Sequence, residues 1–139
     1  MVRKEDLLAL ANFRKALRKY LSFVETAARS AGITPQQHQL LLAVEGHAGR
    51  SWATVGELAE SLQLRHHAAV GLVDRCQAAG LVERATSESD RRVVQVRLTE
   101  KGAEILYHLS LGNLAELRGA LDGLESDLDA ITTASLPQA

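Results

Sequence analysis

Between Thr54 and Leu98 the hydrophobic period of this chain switches from helical to extended, and that switch limits the fold more than any other feature. Val55, Leu58, Ala59 and Leu62 share one helical face, opened by Thr54 and Glu57 at capping-box spacing. After a short turn at Gln63 and Leu64, a second helix runs from near Arg65 to Ala79. Ala69, Leu72, Val73 and Cys76 form its apolar side, and Gly80 is its stop signal. The period then shortens. Leu81 to Arg84 reads as extended, and Val94, Val96 and Leu98 alternate with Val93, Gln95 and Arg97. The polar stretch Thr86 to Asp90 lies between them, so a β-hairpin is predicted. Trp52 and Ala53, just upstream, form a connector long enough for one more strand of a small sheet.

Helices flank this segment on both sides. Leu7, Leu10, Phe13, Leu17, Tyr20, Leu21 and Val24 recur at steps of three and four, which predicts a helix from about Leu7 to Ala28, stopped by Gly32. Thr34, Pro35 and Gln37 open the next helix, with Leu40, Leu41 and Val44 inward and Gly46 and Gly49 at its end. Thr99 caps a long final helix. Its Leu114, Leu117, Leu121, Leu124, Leu128 and Ile131 follow a heptad-like spacing. Gly119 and Gly123 weaken that helix, which predicts a kink or a break into a short sixth helix, and Ser135 to Ala139 read as frayed. Neither an internal repeat nor a low-complexity linker interrupts the chain.

A length of 139 residues fits one domain. With 46% hydrophobic residues but only 4% aromatics, its core is built from Leu, Val and Ala, which favours helix. The single cysteine excludes an intramolecular disulfide and suits a reducing compartment. The charged N-terminus lacks a signal-peptide core, and the longest apolar run, Leu40 to Val44, is far short of a membrane span. A soluble cytoplasmic protein with no membrane partner is expected. Nucleophile elbow, glycine-rich phosphate loop and metalloprotease helix are all missing, so an enzyme is not expected. His38, His47 and His108 are far apart in sequence and no paired-ligand motif is present, so neither a metal nor another cofactor is expected. Cys76 occupies an apolar helix position, where a buried, inert thiol is expected rather than a redox sensor. Asp74 beside Arg75 reads as structural ion pairing.

Two helices joined by a tight turn and followed by a hairpin are the parts of a winged helix-turn-helix. The second helix of such a pair fits the major groove of duplex DNA, and arginines at a hairpin tip reach the neighbouring minor groove. A formal net charge of −1 announces no nucleic-acid binder in bulk, so the placement of the cations decides. Arg65, His66 and His67 open the second helix, and Arg91 and Arg92 lie near the hairpin tip. The leucines from Leu114 to Leu128, outside the winged unit, read as a dimer seam, because that unit alone leaves long apolar helices uncovered.

Leu72-Val73-Asp74-Arg75, Ala79-Gly80-Leu81-Val82-Glu83-Arg84, Ser89-Asp90-Arg91-Arg92 and Leu98-Thr99-Glu100-Lys101-Gly102 follow one another in an order and spacing that resemble the MarR (multiple antibiotic resistance regulator) family. The resemblance implies a mainly α fold with a small β-hairpin wing: dimerisation helices in residues 1–33 and 99–139 around a winged helix-turn-helix in 34–98. It implies a homodimeric repressor on a pseudo-palindromic operator, with Leu10 and Leu17 joining Leu114, Leu117, Leu121, Leu124 and Leu128 at the interface. Arg65 to Val70, including His66, His67 and Ala69, then face the major groove. Arg92 enters the minor groove, Asp90 orients it, and Arg91 supports the wing or meets phosphate. A small aromatic or amphipathic effector is implied, in a crevice near Tyr20, His38 and Trp52. The family's packing of second and fifth helices also brings His38 and His108 within possible reach of each other. The sequence departs from the family where specificity is set: His67, Ala68, Ala69, Val70 and Gly71 stand where relatives carry Ser or Thr and a later Arg. The rival readings are a winged-helix module that docks on protein, supported by the near-neutral charge and apolar recognition helix, and a metal- or redox-sensing regulator.

Overall fold

A computed structural model describes residues 1–131, so the frayed end expected at Ser135 to Ala139 lies outside the described residues. The elements are α1 (Lys4–Ser30), α2 (Pro35–Glu45), α3 (Val55–Leu62), α4 (His66–Ala78), β1 (Val82–Thr86), β2 (Val94–Leu98) and α5 (Glu100–Ala130). Both expected capping boxes form. Thr34 Oγ1 accepts from Gln37 N at 3.1 Å while Gln37 Oε1 accepts from Thr34 N at 2.9 Å. Thr54 and Glu57 repeat the exchange at 3.2 and 3.0 Å, so each helix start has two otherwise orphaned amides satisfied. The tight turn after α3 puts Gln63 at φ 55, and Leu64 N donates back to Ala59 O at 2.8 Å. Gly80, at φ 75, takes the left-handed conformation that ends α4.

The chain divides into two compact units, residues 28–110 and a second unit of residues 1–27 with the chain from Leu111 onward. In the first, β1 and β2 pair antiparallel with Val82 opposite Leu98 and Thr86 opposite Val94. Ala53 supplies a further rung, exchanging both backbone hydrogen bonds with Val96 at 3.1 and 2.7 Å. Leu40, Leu41, Leu58, Leu72, Val73, Leu81 and Val96 are buried at the centre. The connector before α3 is pinned by Arg50, whose guanidinium lies 4.2 Å from the Trp52 ring centroid, pairs with Glu57 and donates to His47 Nδ1 at 3.2 Å.

After β2 the chain is clasped to the end of α4. Thr99 Oγ1 donates to Gly80 O at 2.6 Å and accepts from Gly102 N at 3.1 Å, Thr99 N donates to Leu81 O at 3.0 Å, and Lys101 Nζ reaches Ala79 O at 2.9 Å. Gly102 is buried, and a Cβ there would lie 2.1 Å from Leu81 O.

In the second unit, Asn12 Nδ2 on α1 donates to Asp127 Oδ1 on α5 at 3.2 Å. A groove of about 430 Å³ runs between Asn12, Lys15, Ala16 and Lys19 on one side and Gly119, Ala120, Gly123 and Leu124 on the other.

Two expectations are corrected. No sixth helix forms among the described residues, because α5 runs as one element through Gly119 and Gly123. Each glycine costs a helix only about 1 kcal/mol relative to alanine, which a helix of 31 residues absorbs. The alternation along β2 is also imperfect. Gln95 is 9% exposed and Val94 41% exposed, the reverse of the pattern read from the sequence, and Gln95 Oε1 is satisfied by Arg97 Nη2.

Two stability tests follow from these contacts. Gly102→Ala forces its methyl against the Leu81 carbonyl, and a loss of about 1–3 kcal/mol in denaturant unfolding is expected; wild-type stability would mean the clasp yields without cost. The Glu57 carboxyl is held down to about 2 from 4.5 by its hydrogen bond from Arg50 and next by the Thr54 amide, so its stabilisation is complete above pH 4.5 and fades as pH falls towards 2. Glu57→Gln keeps the capping box but not the charge. Its stability deficit is expected at neutral pH and should close across that acid window, whereas a pH-independent deficit would exclude the ion pair as its cause.

Candidate nucleic-acid interface

The start of α4 differs from those of α2 and α3. Its N-cap, Arg65, is extended at φ −67 and ψ 154 and provides no side-chain cap, because arginine has only donors. Arg65, His66 and His67 are exposed there. This helix end therefore presents the Arg65 guanidinium, two imidazoles and the positive end of the helix dipole to solvent, an arrangement suited to phosphate oxygens and base-edge acceptors.

Ala69 does not belong with them. It is 0% exposed and packs in the core, so its assignment to the groove-facing set is corrected. A 3.6-residue period turns position 69 to the side shared with Leu72, Val73 and Cys76, and Val70, half-buried, is the residue beside it that reaches the surface.

The wing tip is ordered by its own side chains. Asp90 Oδ1 accepts from Arg92 N at 3.0 Å and from Arg92 Nε at 3.1 Å, and Asp90 Oδ2 accepts from Arg92 Nη2 at 3.3 Å. Those bonds hold the Asp90 carboxyl below its usual range. The Arg92 side chain is nevertheless 90% exposed, so Asp90 fixes its direction without covering it. Arg91 is exposed beside it. Val93 N donates to Asp90 O at 3.0 Å and Ser87 N to Val93 O at 3.0 Å, closing the loop.

Sequence reasoning missed the link between wing and helix. Arg84, on β1, donates from Nη2 to Asp74 Oδ1 at 2.7 Å and from Nη1 to Gln77 Oε1, both on α4. Asp74 thus pairs across ten residues and not with its neighbour Arg75. The sequence carried only the charges, not the hairpin twist that brings them together.

The remaining candidates are spread over both units. His38 is buried, and burial lowers its pKa, while His108 is exposed. Among the described residues no group of three His, Cys, Asp or Glu is placed to hold a metal. Cys76 is fully buried and burial pushes its thiol up to about 11, away from redox reactivity. Trp52 is half-buried under Arg50, and Tyr20 is half-buried in the second unit. In that unit Leu10, Leu17, Leu114, Leu117, Leu121 and Leu128 are 36–64% exposed. Leu124 differs, being half-buried and lining its own chain's groove. Among the described residues no helix is long and apolar enough to cross a membrane.

Comparison with known proteins agrees with this architecture. The model of the MarR family matches residues 31–93, which hold α2, the helix pair, β1 and the hairpin loop. An HTH-type transcriptional regulator of Bacillus subtilis, YsmB, is 28% identical over 91% of this chain and 88% of its own length. Among solved structures, a MarR family protein from Bacillus stearothermophilus is 30% identical with a TM-score of 0.61, over 81% of this chain and 79% of that one. A mutant MepR of S. aureus bound to an oligodeoxyribonucleotide shares the fold at 19% identity and a TM-score of 0.64, over 80% of this chain and 79% of its own. A match of that extent to a family member, on a fold whose helix pair and wing are the family's own, means that this chain belongs to the MarR family of DNA-binding transcriptional regulators.

Proposed function

We propose that this regulator is a homodimeric repressor whose two copies read a pseudo-palindromic operator with α4 and the wing. The observation that carries the reading is the placement of exposed basic side chains at two points of one unit: Arg65, His66 and His67 at the start of α4, and Arg91 with the 90% exposed Arg92 at the wing tip. In this reading Arg65 meets phosphate, and His66, His67 and Val70 face base edges. Arg92 enters the minor groove in the direction that Asp90 sets, and Arg91 meets phosphate. The DNA-bound MepR supports the reading at the level of the fold. With a net charge of −1, affinity depends on these few contacts and not on bulk attraction.

A second copy is the cover proposed for the exposed leucines of α1 and α5. Leu10, Leu17, Leu114, Leu121 and Leu128, each 44–64% exposed, form an apolar surface too extensive for a helix pair left in water. A two-fold axis places two α4 helices about 34–36 Å apart, one turn of DNA. A small aromatic or amphipathic acid is proposed to shift the dimer away from the spacing that fits DNA. His38, buried and with its pKa lowered by that burial, is the polar side chain proposed to meet such an acid.

The test is a salt-dependent titration against DNA from upstream of the protein's own gene, with unrelated DNA as control. Tight, selective, steeply salt-dependent binding is expected, weakened when a phenolic acid of the right shape is added; equal binding to both DNAs would remove the operator reading. Arg92→Ala should lower affinity about tenfold or more and reduce the salt slope by about 1, with thermal stability unchanged. Retained affinity would show that the wing does not insert. Leu121→Asp should convert dimer to monomer in light scattering, since it puts a charge into an apolar seam, and an intact dimer would place the interface elsewhere.

A further inference from the structure

Asp74 and Arg75 are adjacent in sequence, but only Asp74 is engaged. It is paired to Arg84, whereas Arg75 is exposed and has neither hydrogen bond nor ion pair among the described residues. Its position is informative. A Cβ added at Gly71 would lie 3.4 Å from Arg75 Nη1 and would meet no other heavy atom within 4 Å outside the helix's own backbone. The guanidinium therefore lies back along α4, over the bare backbone of Gly71, one turn nearer the helix start. Long helical side chains lean in that direction, and positions 67, 71 and 75 are stacked on one face by steps of four.

A glycine inside a helix costs stability relative to alanine, and nothing in the core requires one here, since the space where its side chain would stand adjoins only Arg75. We propose that Arg75 is a base-reading residue and that Gly71 is the notch that lets its guanidinium lie along the groove-facing side of α4. An unpaired planar fork carried to the first half of a recognition helix is suited to bidentate hydrogen bonding with O6 and N7 of guanine. Phosphate needs no such notch, because a cation at position 75 can reach a backbone by extending outward. His67, one turn further towards the start of the helix, faces the adjacent base pair. The inference rests on the operator reading above and specifies which residue sets its sequence.

The test is selection of sites from a randomised duplex pool by the full chain, for the wild type, Arg75→Lys, Arg75→Ala and Gly71→Ala, with thermal melting of each. The wild type is expected to enrich guanine at one position of each half-site. Arg75→Lys keeps the charge and the salt slope but loses that preference, about tenfold or more at the single position. Gly71→Ala is expected to melt higher and yet discriminate less at the same position, an effect that should vanish in the Arg75→Ala background. An effect of Gly71→Ala that persists without Arg75 overturns the notch. Identical preferences for wild type and Arg75→Lys overturn the inference while leaving the operator reading intact. A uniform loss for Arg75→Ala across all sequences, with the salt slope lowered by about 1, also overturns it in favour of a phosphate contact. A wild type that enriches no sequence overturns the operator reading and this inference with it.

Discussion

The winged unit depends on how the backbone carbonyls of Ala79, Gly80 and Leu81 are satisfied. A helix end leaves its last carbonyls without partners, and here the chain must turn at once from α4 into β1. Lys101 Nζ, Thr99 Oγ1 and Thr99 N answer Ala79, Gly80 and Leu81 in turn, and Gly102 leaves room for the last of these carbonyls. Three residues in the run Thr99 to Gly102 thereby fix the end of α4, both ends of the hairpin and the first turn of α5. This accounts physically for the Leu-Thr-x-Lys-Gly segment of the family resemblance. Its side chains are spent on backbone carbonyls, which makes it a fastening and not a contact surface.

A second fastening acts between α4 and β1. Arg84 holds Asp74 and Gln77, so β1 and α4 move together if either moves. The wing tip is arranged differently: Asp90 bonds to Arg92 and to the backbone of Val93, and orients a side chain that stays in water. Polar groups at the base of the unit are spent on one another, whereas the Asp90–Arg92 pair at the wing tip leaves the arginine side chain 90% exposed. That division suits a reader of an external polyanion, because an oriented side chain that stays in water can still be approached by a phosphate or a base edge.

Much of this was legible in the sequence because it is encoded locally. The capping boxes at Thr34 and Thr54, the turn at Gln63, the stop at Gly80 and the hairpin each depend on residues within a few positions of one another. The errors share a different origin. Ala69 was placed towards DNA by its position in a motif, yet the helical period turns it inward. Gln95 departs from the expected β2 alternation: it is buried with its Oε1 accepting from Arg97 Nη2, while Val94 stands exposed near the hairpin loop. The Arg84–Asp74 pair and the lean of Arg75 over Gly71 depend on side-chain direction, which spacing alone does not carry. The continuity of α5 through Gly119 and Gly123 reflects energetics, since two modest penalties do not outweigh a long run of helix formers.

The burial of Cys76 has a practical consequence. With its thiol pushed up to about 11 and no exposure to solvent, the reactive thiolate is scarce, about one molecule in ten thousand at neutral pH, and shielded from reagents. A thiol-specific dye can therefore attach only while the core around Cys76 is open. As the chain's single cysteine, Cys76 makes the native protein a self-reporting clock: the rate of labelling counts the openings of the core beneath α4, with no engineered probe on the surface proposed to meet DNA.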